Sequence, residues 1–127
     1  MPQLTDEGAT KLATQRSNAK IRELAERELH VHALRYKHFG HVIAQNIPWA
    51  ILIGVMDAEL RSAKFTTDEV ATQEGVPESL IRRWVNILAD RGLILFENGS
   101  HDKCQLSFKE SGRKLMIGYL ASLEENT

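Results

Sequence analysis

The stretch "GVPESLIRRWVNILADRGLI", Gly75 to Ile94, decides how this chain is read. Val76 follows a glycine, Pro77 opens a helix, and Gly92 stops that helix just after Arg91. Leu80, Ile81, Trp84, Val85, Ile87 and Leu88 fall on or near its core side. Glu78, Ser79, Arg82, Arg83 and Asn86 take the other faces. A helix divided in this way can close a core with one face and meet a partner with the other. Trp84, a large aromatic, belongs with the packing residues.

Working outward, "KFTTDEVATQEGV" precedes the helix. Thr66 or Thr67 can cap a short helix there, and Thr66 and Glu69 have the spacing of a capping box. Val70 and Ala71 face inward, and Gly75 ends that helix. On the other side, "LILFE" is strand-like, "NGSHDK" is a turn and "CQLSF" alternates as a second strand. "ESGRKLMIGYLASLEE" closes the chain as an amphipathic helix with Leu115, Met116, Tyr119, Leu120 and Leu123 on its apolar side. Helix, turn, helix, hairpin, helix is the layout of a winged helix.

Two more helices precede this layout. Between Gly8 and Gly40 there is neither proline nor glycine, and Ile21, Leu24, Ala25, Leu29, Val31, Leu34 and Phe39 recur at roughly helical spacing. The pattern predicts one long helix near 10–39, ended by Gly40. At 1.5 Å per residue, roughly 30 residues span about 45 Å, more than a small domain needs for its own core. The surplus suggests a partner, most simply a second copy of the chain. Asn46-Ile47-Pro48 begins the next helix, with Pro48 in the first turn, where its missing N–H costs little. Residues 48–61 are apolar on most faces (Trp49, Ile51, Leu52, Ile53, Val55, Met56, Leu60), as a buried central helix should be.

Composition sets the outer bounds. The 127 residues are 43% hydrophobic and 26% charged, ordinary for one soluble domain with a real core. Cys104 is the single cysteine, so no intrachain disulfide forms, and a cytoplasmic setting is expected. No apolar run of signal-peptide length opens the chain, and "IPWAILIGVMDAEL" is too short, and broken by Asp57, to span a bilayer. No membrane partner is therefore expected. The formal net charge is −1, and from Lys64 to Lys114 eight basic residues meet eight acidic ones. Affinity from phosphate neutralisation is then modest per subunit, and a dimer doubles the contacts.

Residues 64–116 resemble the winged-helix part of the MarR family of bacterial transcriptional regulators. The resemblance is carried by "TTDEVATQEGV", "LIRRWVNILADRGLI", Asp102 and "SFKESGRKLM". Val70-Ala71 stands for the family's "LA" pair. Val85, Leu88, Gly92, Leu93 and Ile94 match its "V-x-x-L-x-x-x-G-L-I", an ending shared by other winged helices, including Rrf2-type regulators. Phe108 to Gly112 matches its "LT-x-x-G". The family's wing usually carries Asp-x-Arg; here Lys103 and Cys104 follow Asp102, and the wing is short and lacks its arginine. Lys103 supplies a point charge without a planar fork.

The resemblance implies a mainly α fold with a small β-hairpin wing, a long N-terminal helix and a C-terminal helix for dimerisation. The single domain divides into a dimerisation helix (1–45), a core with helix-turn-helix and wing (46–109) and a C-terminal dimerisation helix (110–127). The implied function is sequence-specific binding of double-stranded DNA by a homodimeric transcriptional regulator, with the helix at 77–91 in the major groove. A small-molecule effector is a possible partner, in a pocket near Trp49, Met56 and Tyr36. The alternative is a winged helix used as a protein–protein interaction module, which the neutral charge and the missing wing arginine support.

The expected DNA-binding residues are Thr67, Ser79, Arg82, Arg83 and Asn86, with His101 and Lys103 in the wing. Arginine reads guanine O6 and N7 bidentately, asparagine suits adenine, and the N-terminal half of such a helix enters the groove. Glu78 stands against this reading, because it would sit near phosphates, and pairing with it is the bland account of the arginines. His38 and His41 have a usable metal-ligand spacing, and His30 and His32 lie nearby. No carboxylate or cysteine completes a metal pattern, so neither metal nor cofactor is expected. Cys104, without a resolving partner, reads as a half-buried strand residue rather than a redox switch. No phosphate-cradling glycine loop, H-E-x-x-H or G-x-S-x-G motif is present, and no enzymatic activity is expected.

Overall fold

The structure is a computed structural model that describes residues 6–98 and 104–125. The elements run α1 (Asp6–Ile43), α2 (Asn46–Leu60), α3 (Thr67–Glu74), α4 (Glu78–Asp90), β1 (Ile94–Asn98), β2 (Cys104–Phe108) and α5 (Glu110–Glu125). The chain divides into two compact units, Met1–Leu34 and Arg35–Thr127.

In the first unit α1 carries several exposed apolar residues, while Val31 and Leu34 near its end are half-buried. Ile21, Leu24 and Leu29 are 62%, 45% and 70% exposed, so a stripe placed at helical spacing remains open to solvent. Its charges pair locally, as Lys20 with Glu23 and Arg22 with Glu26. Pairs this exposed contribute little to stability.

Gly40 interrupts α1 where the sequence places a stop. Its φ of 81° and ψ of 171° are not helical, and only glycine takes such values without steric cost. The chain then makes a short further turn to Ile43 rather than ending at residue 39. Phe39, Ile43 and Ala44 are buried, so this corner belongs to the core of the second unit.

That core is built around α2. Pro48, Ile51, Leu52, Val55, Met56 and Ala58 are buried. Leu60 is exposed, so burial fades at the C-terminal end of the apolar run. Thr66 caps α3: its hydroxyl accepts from the Glu69 N–H and donates to the Glu69 carboxylate. Gly75 ends α3 in the left-handed region, its N–H on the Ala71 carbonyl. α4 packs against α2 and α3 through Ile81, Val85 and Leu88, a strict i, i+4, i+7 stripe.

The hairpin pairs Ile94 with Phe108 and Asn98 with Cys104 in antiparallel register. β1 is one residue later than expected, because Leu93 is a buried connector ahead of the ladder. β2 has the expected bounds and alternates, with Cys104, Leu106 and Phe108 inward. An extended piece before α3 joins its far edge: Leu106 N–H donates to the Phe65 carbonyl (2.9 Å), and Thr66 bridges to Gln105.

α5 is tied down at its start. Arg113 lays Nε and Nη2 on the two carboxylate oxygens of Glu59 at 2.9 and 2.7 Å, and Nη1 donates to Glu110. The Arg113 hydrogen bond holds the Glu59 carboxyl below its usual range. Met116 and Tyr119 are the buried residues of the α5 apolar side; Leu115, Leu120 and Leu123 are half-buried. Gly112 lies directly on the backbone at Leu93, and a Cβ there would fall inside van der Waals contact of the Leu93 carbonyl. Ser111 donates to the Gly92 carbonyl at 2.6 Å, and Lys109 N–H to the Leu93 carbonyl at 3.0 Å. The atoms met are all Leu93 backbone, so no flexible side-chain end is there to yield. Gly112→Ala is therefore expected to cost about 1–3 kcal/mol of stability by overpacking, read as a lower urea midpoint at unchanged slope.

Candidate nucleic-acid interface

The burial of Ile81, Val85 and Leu88 fixes the rotation of α4, and with it what the outer face presents. Ser79, Arg83 and Asn86 are exposed and Arg82 is half-buried. Trp84 is half-buried, as are Leu80 and Ile87, so the fully enclosed seam is narrower than the six apolar residues of the sequence. The helix begins at Glu78 after Pro77, which has extended backbone angles and no capping side chain.

Arg82 and Asn86 also face the hairpin. Together with Val85 they line a recess completed by Phe96, Asn98 and Cys104. On β1, beside this recess, Leu95 and Phe96 are exposed apolar residues. His101 and Lys103, expected in the wing, lie outside the described residues.

Thr67 departs from expectation. It is fully buried, and its hydroxyl donates to Glu78 Oε1 at 3.0 Å. It therefore has no surface to offer a duplex. Glu78 Oε1 also accepts from Arg82 Nε at 2.8 Å. The hydrogen bond from Arg82 above all, with the contacts to Asp68 and Thr67, holds the Glu78 carboxyl below its usual range. Glu78 is thus turned toward α3 and Arg82. No element-level pattern announces this contact, because it joins residues eleven apart in sequence.

Cys104 is 2% exposed, more enclosed than the half-buried residue expected. Burial pushes its thiol up from the ordinary range, with Arg82 opposing and Glu78 adding to the shift. The His38 ring lies edge-on to Tyr119 and the His41 ring edge-on to Tyr36. Among the described residues no group of three His, Cys, Asp or Glu is placed to hold a metal ion. Of the residues tied to an effector, Met56 is buried, and Trp49 sits edge-on to Phe39 and Tyr119 with Arg35 above its ring. Among the described residues no single helix is long and apolar enough to cross a membrane.

A buried, protonated thiol reacts slowly with electrophiles. Alkylation of Cys104 by iodoacetamide at neutral pH is expected to run at least ~10-fold slower in the native protein than in denaturant. Equal rates would place the side chain at the surface.

No protein-family model and no curated protein matches the chain. Solved structures do. The YusO protein from Bacillus subtilis superposes with a TM-score of 0.71 at 15% identity, over 92% of this chain and 79% of that one. The transcriptional regulator Tm0710 from Thermotoga maritima gives 0.61 at 16% identity, over 87% and 75%. A MarR-family transcriptional regulator from Rhodococcus sp. RHA1 gives 0.57 at 18% identity, over 86% and 76%. With five helices and a two-stranded hairpin among its described residues, this chain has the winged-helix fold of MarR-type regulators.

Proposed function

We propose that this protein is a sequence-specific, DNA-binding transcriptional regulator of MarR type that acts as a homodimer. The observation that carries the reading is the outer face of α4. Ser79, Arg82, Arg83 and Asn86 stand on a helix whose rotation is locked by its buried stripe, beside an antiparallel hairpin. Arginine and asparagine match the major-groove edges of guanine and adenine, and the groove admits one α-helix. Ser79, in the first turn, suits a phosphate oxygen. His101 and Lys103 remain the wing contacts of this proposal.

Dimerisation rests on α1. Its apolar stripe at Ile21, Leu24 and Leu29 is uncovered in the single chain, and a second copy covers such a stripe by symmetric packing. α5, with Ile117 exposed, joins the same role. A dimer also answers the charge balance, because two recognition helices double the phosphate contacts of a neutral subunit. A small-molecule effector acting near Trp49, Met56 and Tyr36 completes the proposal. A second reading, a winged helix that binds a protein partner, draws on one observation, the exposed Leu95 and Phe96 of β1.

DNA-affinity selection with genomic fragments tests the first reading. The expected product is a palindromic consensus with half-sites about one helical turn apart. The Arg82→Ala, Arg83→Ala double variant loses the enrichment. No enrichment at low salt would reject DNA reading and favour a protein partner, to be sought by nuclease-resistant co-purification.

A further inference from the structure

α5 is held at its start by two kinds of contact. The first kind converges on one point. Lys109 N–H and the Ser111 hydroxyl donate to the Leu93 and Gly92 carbonyls, and Gly112 lies on the backbone at Leu93. Contacts with two neighbouring residues make a pivot: they fix where α5 begins and leave its direction to the rest of the helix. The second kind lies on α2. Arg113 donates from Nε and Nη2 to the two carboxylate oxygens of Glu59 at 2.9 and 2.7 Å. Further along, the buried Tyr119 ring sits edge-on to Trp49 with centroids 5.1 Å apart.

The two contacts with α2 differ in what they specify. Side chains packed between helices allow small sliding motions. An arginine laid on a carboxylate by two parallel hydrogen bonds has one geometry. The Arg113–Glu59 pair therefore sets the register of α5 along α2. Its weight in stability is modest, because both side chains are 33% exposed and solvent screens such a pair. The third bond of Arg113, from Nη1 to Glu110, stays within α5 and fixes no register.

Register matters because of what each helix carries. α2 is the wall on which α4 rests. α5, with Ile117 exposed, belongs to the proposed dimer contact. In a two-fold dimer each copy repeats the displacement of the other, so a slide of α5 along α2 acts twice on the separation of the two α4 helices. Interface helices shift by about 1–2 Å in known transitions. Two such shifts approach the rise of one base pair, about 3.4 Å.

Resting on the dimeric DNA-reading role proposed above, we infer that Arg113 and Glu59 are positioning residues that set the half-site spacing. Held in register by this pair, α5 keeps the two recognition helices at one separation. Loss of the two-bonded geometry lets α5 slide, and the dimer then accepts half-sites at several separations while reading each as before.

The test uses the full chain and the palindrome that it selects, with the half-sites moved together or apart by one and two base pairs. A duplex with one half-site is the reference. For wild type, a change of two base pairs is expected to weaken binding about tenfold or more. In Glu59→Gln and Arg113→Lys that penalty falls to about threefold or less, while single half-site binding and the sedimenting dimer are unchanged. Lysine keeps the charge and loses the planar fork, which separates geometry from electrostatics. Glu110→Gln keeps the wild-type penalty. Circular dichroism establishes that each variant is folded, and a merely structural role would weaken binding to every duplex alike. A wild-type spacing penalty retained in both Glu59→Gln and Arg113→Lys overturns the positioning role, as does wild-type binding that ignores spacing; both leave DNA reading intact. A wild-type chain that is monomeric or selects no sequence overturns the reading on which the inference rests.

Discussion

Three side chains, Ile81, Val85 and Leu88, fix the rotation of α4, and the rest of the structure depends on that rotation. They form one stripe at helical spacing and bury against α2 and α3. Fully burying a residue of this kind is worth about 1.5–3 kcal/mol. Rotating α4 by one residue would expose all three and drive Arg82 or Asn86 into the core, where an unpaired charge or amide is costly. The helix therefore has one orientation, and Ser79, Arg83 and Asn86 are outward because the stripe is inward.

The other elements hold this arrangement in place. α2 supplies the apolar wall against which α4 rests. The extended Phe65–Thr66 piece pairs with β2 and sets the start of α3. The backbone at Leu93 is enclosed by Gly112 and bonded by Lys109, which fixes where the hairpin leaves α4. Arg113 and Glu59 join α5 to α2 by a two-bonded ion pair, the geometry in which an arginine and a carboxylate are most specific. Glu78 then refines the outcome at the surface, tying Arg82 to α3 through Thr67. One helix thus serves packing and presentation, with the hydrogen-bonded chain at its N-terminus linking the two.

Much of this was legible in the sequence because it is local. Pro77 and Gly92 bracket α4, Thr66 and Glu69 cap α3, and the alternation of "CQLSF" gives β2 its bounds and inward residues. What stayed hidden is tertiary. Thr67 reads as a polar residue near a helix start, and nothing nearby shows that its hydroxyl meets Glu78. Glu78 reads as a charge beside phosphates for the same reason. Leu60 belongs to an apolar run yet is exposed, because the run outlasts the core beneath it. The pairing of Phe65 with Leu106 leaves no mark in the sequence, because two extended residues make no periodic signal.

The central claim is that the outer face of α4 lies in a major groove. Dimethyl sulfate protection reports it most directly, because the reagent methylates guanine N7 in that groove. On the duplex that the protein selects, at saturating protein, the account predicts protection of guanine N7 in two patches about one helical turn apart. Binding at saturation with every guanine N7 still reactive would contradict it.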